Sequence, residues 1–288
     1  MDHVLDPAFF PDAEMNALSG TGDNSRIKAR IVRSFGAAHD YDRYALVQRR
    51  VAMDLAERIA TITLPPEPRI CEIGCGTGFL GAALAHTIPC GEFLLTDLAP
   101  AMLERARSRL GANPHFRFAV VDGEHPAALE YDGPFDLICS SLAVQWFFDL
   151  QAGLERLFAQ LRPGGSLLVS TLTQGTFAEW EQAHAAAGLT PAFDAYPCPA
   201  ELRAMQLDRV LPRVDVWSVT EKHRDGWAFL RSLKAIGAHA SKHSRHPLTP
   251  SQLRRVVERF DAGDARITYR VATCLYSKPA RGQTDVSS

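Results

Sequence analysis

Arg69–Gly81 reads RICEIGCGTGFLG, and the architecture follows from how that stretch is built. A short apolar strand, Arg69 to Ile73, runs into three alternate glycines, Gly74, Gly76 and Gly78, and an apolar helix follows. Glycines at that spacing let the backbone turn tightly and approach a ligand, because no Cβ intervenes. The helix that starts near Gly78 then turns its free amide groups toward that ligand. The pattern is not specific by itself, since Gly76-x-Gly78-x-x-Gly81 also satisfies the dinucleotide fingerprint. Two carboxylates narrow the choice. Glu72 stands before the first glycine, and Asp97 closes the next strand (Glu92 to Thr96), about 20 residues on, where an acid reaches ribose hydroxyls.

Outward from this turn, strands and helices alternate. The expected strands are Arg69–Ile73, Glu92–Thr96, Phe116–Val121, Phe135–Ser140 and Ser166–Thr171. The helices between them start near Gly78, Pro100 and Asp149, with an irregular link around Glu124 to Tyr131. Pro100 suits a first helical turn, with Asp97 or Thr96 as its cap. Continuous apolar strands separated by amphipathic helices predict a parallel sheet covered on both faces. Ligands bind at the carboxyl ends of such strands, and Glu72, Asp97, Asp122 and Ser140 all fall there.

Before the first strand, apolar residues at helical spacing (Ile27, Ile31, Phe35; Val47, Val51, Leu55, Ile59) predict two helices broken near Gly36 to Asp40. Pro65, Pro66 and Pro68 end the second helix. After Thr171 the expected elements are a helix over Gly175–Ala187, a proline-rich link over Pro191–Pro199 and a short helix over Pro199–Leu207. A strand over Val214–Thr220, helices over Asp225–Ile236 (ended by Gly237) and Thr249–Phe260, and a last strand over Ala265–Tyr276 complete the chain. The expected organisation is a mobile leader over 1–24 and one domain over 25–278, followed by a tail over 279–288. Within the domain, 25–64 is an N-terminal helical cap, 65–174 the nucleotide-binding core, 175–262 an inserted cap and substrate region, and 263–278 the last strand.

The chain has 288 residues, 46% hydrophobic and 22% charged, with a net charge of −2. Those values fit a folded α/β protein and give no general affinity for nucleic acid or membrane. No run approaches 18 apolar residues, the N-terminus lacks a signal-peptide pattern, and the six cysteines form no C-x-x-C pair, so a cytoplasmic protein with reduced thiols is expected. HASKHSRH spaces His239, His243 and His246 by four and three residues, but its Ser, Lys and Arg and the following Pro247 favour a polar loop, and no metal site is expected.

An acid directly before a G-x-G-x-G turn resembles the class I S-adenosylmethionine (AdoMet) methyltransferases, whereas nicotinamide dehydrogenases more often carry an apolar residue there. The resemblance implies a Rossmann-like, mostly parallel seven-stranded sheet with the last strand antiparallel, and helical caps from the N-terminus and from an insertion after the fifth strand. It implies that Glu72 with Gly74, Gly76 and Gly78 holds the methionine end and the backbone side of the ribose, that Asp97 accepts from the ribose hydroxyls, and that Leu98 also contacts the cofactor. Asp122 and Gly123 would meet the adenine, with Ser140 on the same rim and S-adenosylhomocysteine as product.

Longer blocks are more specific. FGAAHDYDRYALVQRRVA (35–52), SSLAVQWFFDL (140–150), LLVSTLTQGTFAEW (167–180), LRSLKAIGA (230–238) and ITYRVATCLYSK (267–278) resemble the malonyl-acyl-carrier-protein methyltransferase family of biotin synthesis, the BioC family. That family esterifies the free carboxylate of a malonyl thioester carried on phosphopantetheine, and the resemblance implies the same reaction here. A carboxylate is already ionised at neutral pH, so no general base is needed and none is assigned. Tyr41 is expected to lid the cofactor or to pack the core. Gln145 and Trp146 follow the fourth strand, near the transferred methyl, and Lys234 is a candidate partner for the carboxylate or a phosphate. Residues 209–255 hold ten Lys or Arg against three acids, a local +7 suited to an acidic carrier protein. Another small acid or a protein side chain as substrate, or a non-catalytic protein that kept the fold, are the competing readings.

Overall fold

The glycine turn follows the central strand of a seven-stranded sheet. The computed structural model describes residues 22–127, 129, 132–191, 195–239 and 248–280. Five strands run parallel: β1 (Arg69–Ile73), β2 (Glu92–Asp97), β3 (Phe116–Val120), β4 (Phe135–Ser141) and β5 (Leu161–Leu172). β6 (Arg213–Lys222) and β7 (Arg266–Ser277) complete the order β3-β2-β1-β4-β5-β7-β6. Only β7 is reversed, pairing antiparallel with both β5 and β6, as expected of the last strand. The strand order reverses between β1 and β4, so the crevice at that switch point opens beside the glycine turn.

The helices are α1 (Gly22–Gly36), α2 (Tyr41–Tyr44), α3 (Leu46–Ile59), α4 (Phe79–Thr87), α5 (Pro100–Leu110), α6 (Leu150–Ala159), α7 (Ala178–Ala186), α8 (Pro199–Ala204), α9 (Gly226–Ala235) and α10 (Pro250–Asp261). One face of the sheet packs Leu55, Ile59, Leu80 and Leu84 of α3 and α4. The other packs Leu154, Leu157 and Phe158 of α6 with Leu202 of α8. A third cluster joins Val47 and Val51 of α3 to Trp180, Phe229, Phe260 and Tyr269, and so ties the N-terminal helices to the segment after β5. A fully buried leucine or phenylalanine contributes about 1.5–3 kcal/mol, so this cluster can hold both caps against the sheet.

Caps match the sequence in three places. Asp149, Asp225 and Thr249 each accept an amide hydrogen at the start of α6, α9 and α10, at 3.0, 2.6 and 3.3 Å. Gly237, at φ +76°, ends α9, and a Cβ there would lie 2.8 Å from the Ser34 carbonyl of α1. Three expectations need correction. Neither Asp97 nor Thr96 caps α5: the Thr96 hydroxyl donates to the Glu72 carbonyl, and Asp97 takes the Ala99 amide ahead of the helix. The fifth strand starts at Leu161, not at the expected Ser166: Pro163-Gly164-Gly165 forms a bulge within β5, where pairing jumps from Phe135–Leu161 to Leu137–Ser166. Helix α1 begins at Gly22, inside the stretch expected to be leader. Residues 1–21, the tail from 281, and His243 and His246 of the histidine-bearing segment lie outside the described residues.

Candidate active site

Two cavities meet above the carboxyl ends of β1, β2 and β4. The first is floored by the glycine turn and lined by Glu72, Gly74, Gly76, Asp97, Leu98, Asp122 and Gly123. Glu72 is buried, and burial pushes its carboxyl up to about 8, with the Asp97 charge adding and the Gly81 amide opposing. Its Oε2 has no hydrogen-bond partner among the described residues. A buried acceptor left unpaired costs about 1–3 kcal/mol, so this oxygen sits ready for a cationic or hydrogen-bonding ligand. Asp97 accepts from the amides of Gly76 (2.9 Å) and Ala99 (2.8 Å). Burial raises its pKa, and the Ala99, Gly76 and Leu98 amides oppose that rise. These bonds shape the glycine turn from below, and each oxygen keeps a lone pair for a further donor. A Cβ on Gly76 would project into the cavity, meeting only the Tyr41 hydroxyl at 3.8 Å.

The cavity is closed from above by α1 and α2. Lys28, Ile31 and Phe35 occupy one face of α1 at i, i+3 and i+7 and all line the cavity. Lys28 Nζ lies 2.6 Å from Asp122 Oδ2 and 2.8 Å from Glu124 Oε2; Lys28 and Glu124 are buried and Asp122 is partly so. Arg105 of α5 holds the other end of α1 by donating to the Gly36 and Ala38 carbonyls at 2.8 and 2.6 Å. Asp42 of α2 accepts from the Thr77 hydroxyl of the glycine turn at 2.6 Å and pairs with Arg109. Tyr41 stacks on Phe79 with ring centroids 6.4 Å apart, and burial, with the Asp97 and Asp42 charges, pushes its phenol up.

The second cavity has a volume of about 890 Å³ and lies between the sheet and the inserted segment. Its lining includes Gln145, Phe148, Gln174, Tyr196, Leu230, Leu233, Ile236 and Tyr269. Phe35, Tyr41, Gln48, Leu142, Trp146 and Phe147 line both cavities and mark their junction.

A methyltransferase-domain family model matches residues 71–167, which carry the glycine turn and the strands around it. The solved YcgJ protein of Bacillus subtilis has the same fold, with a TM-score of 0.55 at 15% identity over 78% of this chain and 97% of its own. A malonyl-[acyl-carrier protein] O-methyltransferase of Magnetococcus marinus is 39% identical over 264 residues, covering 91% of this chain and 96% of that protein. This chain belongs to the malonyl-[acyl-carrier protein] O-methyltransferase family. It is an AdoMet-dependent methyltransferase of the Rossmann-like class. The biotin biosynthesis bifunctional protein BioCD of Bordetella avium is 50% identical over 251 residues; these cover 86% of this chain but only 52% of that longer relative.

Within this methyltransferase, Glu72, Gly74, Gly76, Asp97, Leu98, Asp122, Gly123 and Tyr41 converge on the first cavity, and Tyr41, Gln145 and Trp146 on the second. Three expected site residues stand elsewhere. The Ser140 hydroxyl is fully buried and donates to the Ile73 carbonyl at 2.8 Å, while Ser141, one residue on, lines the cavity. Gly78 does not line the cavity; it is the left-handed residue (φ +84°) that starts α4 and lets it pack on Ala106 of α5. Lys234 is exposed on α9, whose Leu230 and Leu233 face the second cavity instead. Gln145 reaches its cavity with the opposite polarity to a carboxylate donor. Its Nε2 donates to the Leu142 carbonyl at 2.6 Å, bracing a residue at φ +50°, and its buried Oε1 is the unpaired atom. Lys28 and Gln48 were missed by sequence reading. The signal for each was a polar residue inside an apolar helical stripe: Lys28 ahead of Ile31 and Phe35, Gln48 between the buried Ala45 and Ala52.

Proposed function

We propose that this methyltransferase esterifies the free carboxylate of a malonyl group carried as a phosphopantetheine thioester on an acidic carrier protein, priming pimeloyl assembly for biotin. The observation that carries the proposal is the junction itself: a cleft with an orphaned acidic oxygen and a glycine cradle opens, past Tyr41 and Trp146, into a mostly apolar chamber.

AdoMet supplies an electrophilic methyl group on a cationic sulfonium. Glu72 offers its unpaired Oε2 to the cationic methionine end, and Asp97 accepts from the ribose hydroxyls while keeping its two backbone donors. Asp122, paired with Lys28, accepts from the adenine amine, and Leu98 and Met102 wall the ring. The acceptor carboxylate would enter from the chamber, and the bound AdoMet would supply the methyl group to its oxygen, a new O–C bond replacing the C–S bond and the electron pair staying on sulfur. Because that carboxylate is ionised at neutral pH, the protein contributes alignment and exclusion of water rather than a base. Leu142, Phe147 and Phe35 are the apolar residues that keep water from the junction.

The exposed Arg231 and Lys234 lie on α9, the helix whose apolar side lines the chamber, and present positive charge beside it. That arrangement suits an acidic carrier protein delivering its arm. Lys242 and Arg245 of the same basic region lie outside the described residues.

The test is methyl transfer from labelled AdoMet to malonyl-carrier protein, malonyl-coenzyme A and free malonate side by side. Strong preference for the carrier protein is expected. Tight AdoMet binding with no transfer to any of the three would leave the fold and overturn the substrate.

A further inference from the structure

The chamber that receives the acceptor presents a physical problem. Among the described residues, no lysine or arginine lines the 890 Å³ cavity. A carboxylate moved out of water into such a site needs partners, since an unpaired buried charge is strongly disfavoured. The junction offers three polar side chains, Tyr41, Gln48 and Trp146. Tyr41 faces Asp97 and Asp42, whose negative charges act on its phenol and would repel an added anion. Gln145, just inside the chamber, presents its unpaired acceptor oxygen. Gln48 and Trp146 remain. Neither side chain has a hydrogen-bond partner among the described residues, and both are only half-buried. Trp146 is fixed edge-on to Phe35, with centroids 5.4 Å apart at 86°. Gln48 is carried on α3 between Val47 and Val51, which are both buried in the cap cluster, so its helix is firmly seated.

We propose that the malonyl carboxylate is held at the junction by the neutral amide of Gln48, assisted by the Trp146 indole N–H, with no lysine or arginine counter-ion among the described residues. This rests on the acceptor assignment above and names the residue that positions it. Neutral donors align the oxygen without neutralising it, as a bound guanidinium would. Since no lysine or arginine among the described residues lines the chamber, the positive charge that the carboxylate meets there is the sulfonium. Two opposite charges in a poorly hydrated site attract far more strongly than in water, so productive binding of the malonyl group depends on the charge of the methyl donor. After transfer both charges are gone, because an ester and a thioether remain, and the product loses its hold.

The first measurement is calorimetric binding of malonyl-coenzyme A to the full chain saturated with either sinefungin, whose amine is cationic, or S-adenosylhomocysteine, which is neutral at sulfur. Affinity at least about tenfold higher with sinefungin is expected. The second is kinetics of Gln48→Met, which removes the donor while keeping the length of the side chain. Its kcat/KM for the malonyl substrate should fall about 10- to 100-fold while its AdoMet dissociation constant stays within about twofold. Gln48→Lys should bind malonyl-coenzyme A equally well with either ligand, yet transfer methyl more slowly. Equal affinity of the wild type for malonyl-coenzyme A with either ligand, or unaltered Gln48→Met kinetics in an enzyme that does methylate malonyl thioesters, overturns the clamp alone. Absence of transfer by the wild type to any malonyl thioester overturns the substrate assignment and the clamp with it.

Discussion

Glu72 is a cofactor-site residue whose chemistry is strongly altered by its position. Its carboxyl is held at about 8 instead of the ordinary 4.5 because it is buried beside Asp97 with one oxygen unpaired. Between those two values the folded, ligand-free protein binds a proton that the unfolded chain has lost. Stability from this group is therefore present at low pH and falls as pH rises through that window. Urea denaturation should show Glu72→Gln gaining on the wild type between pH 5 and pH 8 and matching it below. Binding of the cationic methionine end reverses the balance by favouring the carboxylate. AdoMet binding near pH 7 should release close to one proton, read as a dependence of the calorimetric enthalpy on the buffer's ionisation heat, and Glu72→Gln should remove it. A buffer-independent enthalpy in the wild type would place the ligand away from Glu72. The same scale explains a misplaced residue. Strand side chains alternate faces, so the one-residue difference between Ser140 and Ser141 separates a hydroxyl tied to the Ile73 carbonyl from a position on the cavity wall.

At the level of elements, the N-terminal helix is a strap. Helix α1 is pinned at Lys28 by two carboxylates, Glu124 buried and Asp122 partly so, and at its carboxyl end by Arg105, and between these points Ile31 and Phe35 cover the cofactor cleft. Lys28→Met strands Asp122 and Glu124 in the interior, and breaking such a buried set costs about 3–5 kcal/mol. The expected outcome is faster amide exchange across Gly22–Gly36 and weaker AdoMet binding, both largely restored when Asp122→Asn and Glu124→Gln are added. Unchanged exchange across α1 would show that its apolar face alone seats it. Periodicity predicted this helix but not its function, because the partners of Lys28 stand 94 residues or more away in the chain. The β5 bulge was likewise hidden: Pro163-Gly164-Gly165 reads as a turn locally, and only pairing with β4 and β7 draws the flanking residues into one strand.

For the whole molecule, charge is distributed unevenly. A chain with net charge −2 concentrates +7 in residues 209–255, leaving −9 for the remainder. Arg231 and Lys234 of that region stand exposed beside the chamber. Steering by exposed charges is screened within about 8–10 Å at physiological salt. Raising the salt concentration should therefore raise KM for malonyl-carrier protein with little change in kcat. Arg231→Glu with Lys234→Glu should raise that KM several-fold while leaving turnover of malonyl-pantetheine unaltered. Equal damage to both substrates would assign these residues to the chamber rather than to docking.

The reversed last strand was implied by the family resemblance, whereas the residues by themselves determined the alternating core, the glycine turn and the acids Glu72, Asp97 and Asp122 at the strand ends. Each of these rests on short-range rules: apolar periodicity, the backbone freedom of glycine, and side chains placed where a strand stops. Tertiary structure alone decided what surrounds them. It buried Glu72 until its proton affinity rose, placed Lys28 against two acids from the far side of the cleft, and turned Lys234 outward and Gln145 back onto its own loop. It also brought Gln48 from α3 to the junction of the two cavities, beside Phe35 of α1, Tyr41 of α2 and Trp146 after β4. Burial, pairing and polarity are properties of the packed neighbourhood, and residues far apart in the chain supply it.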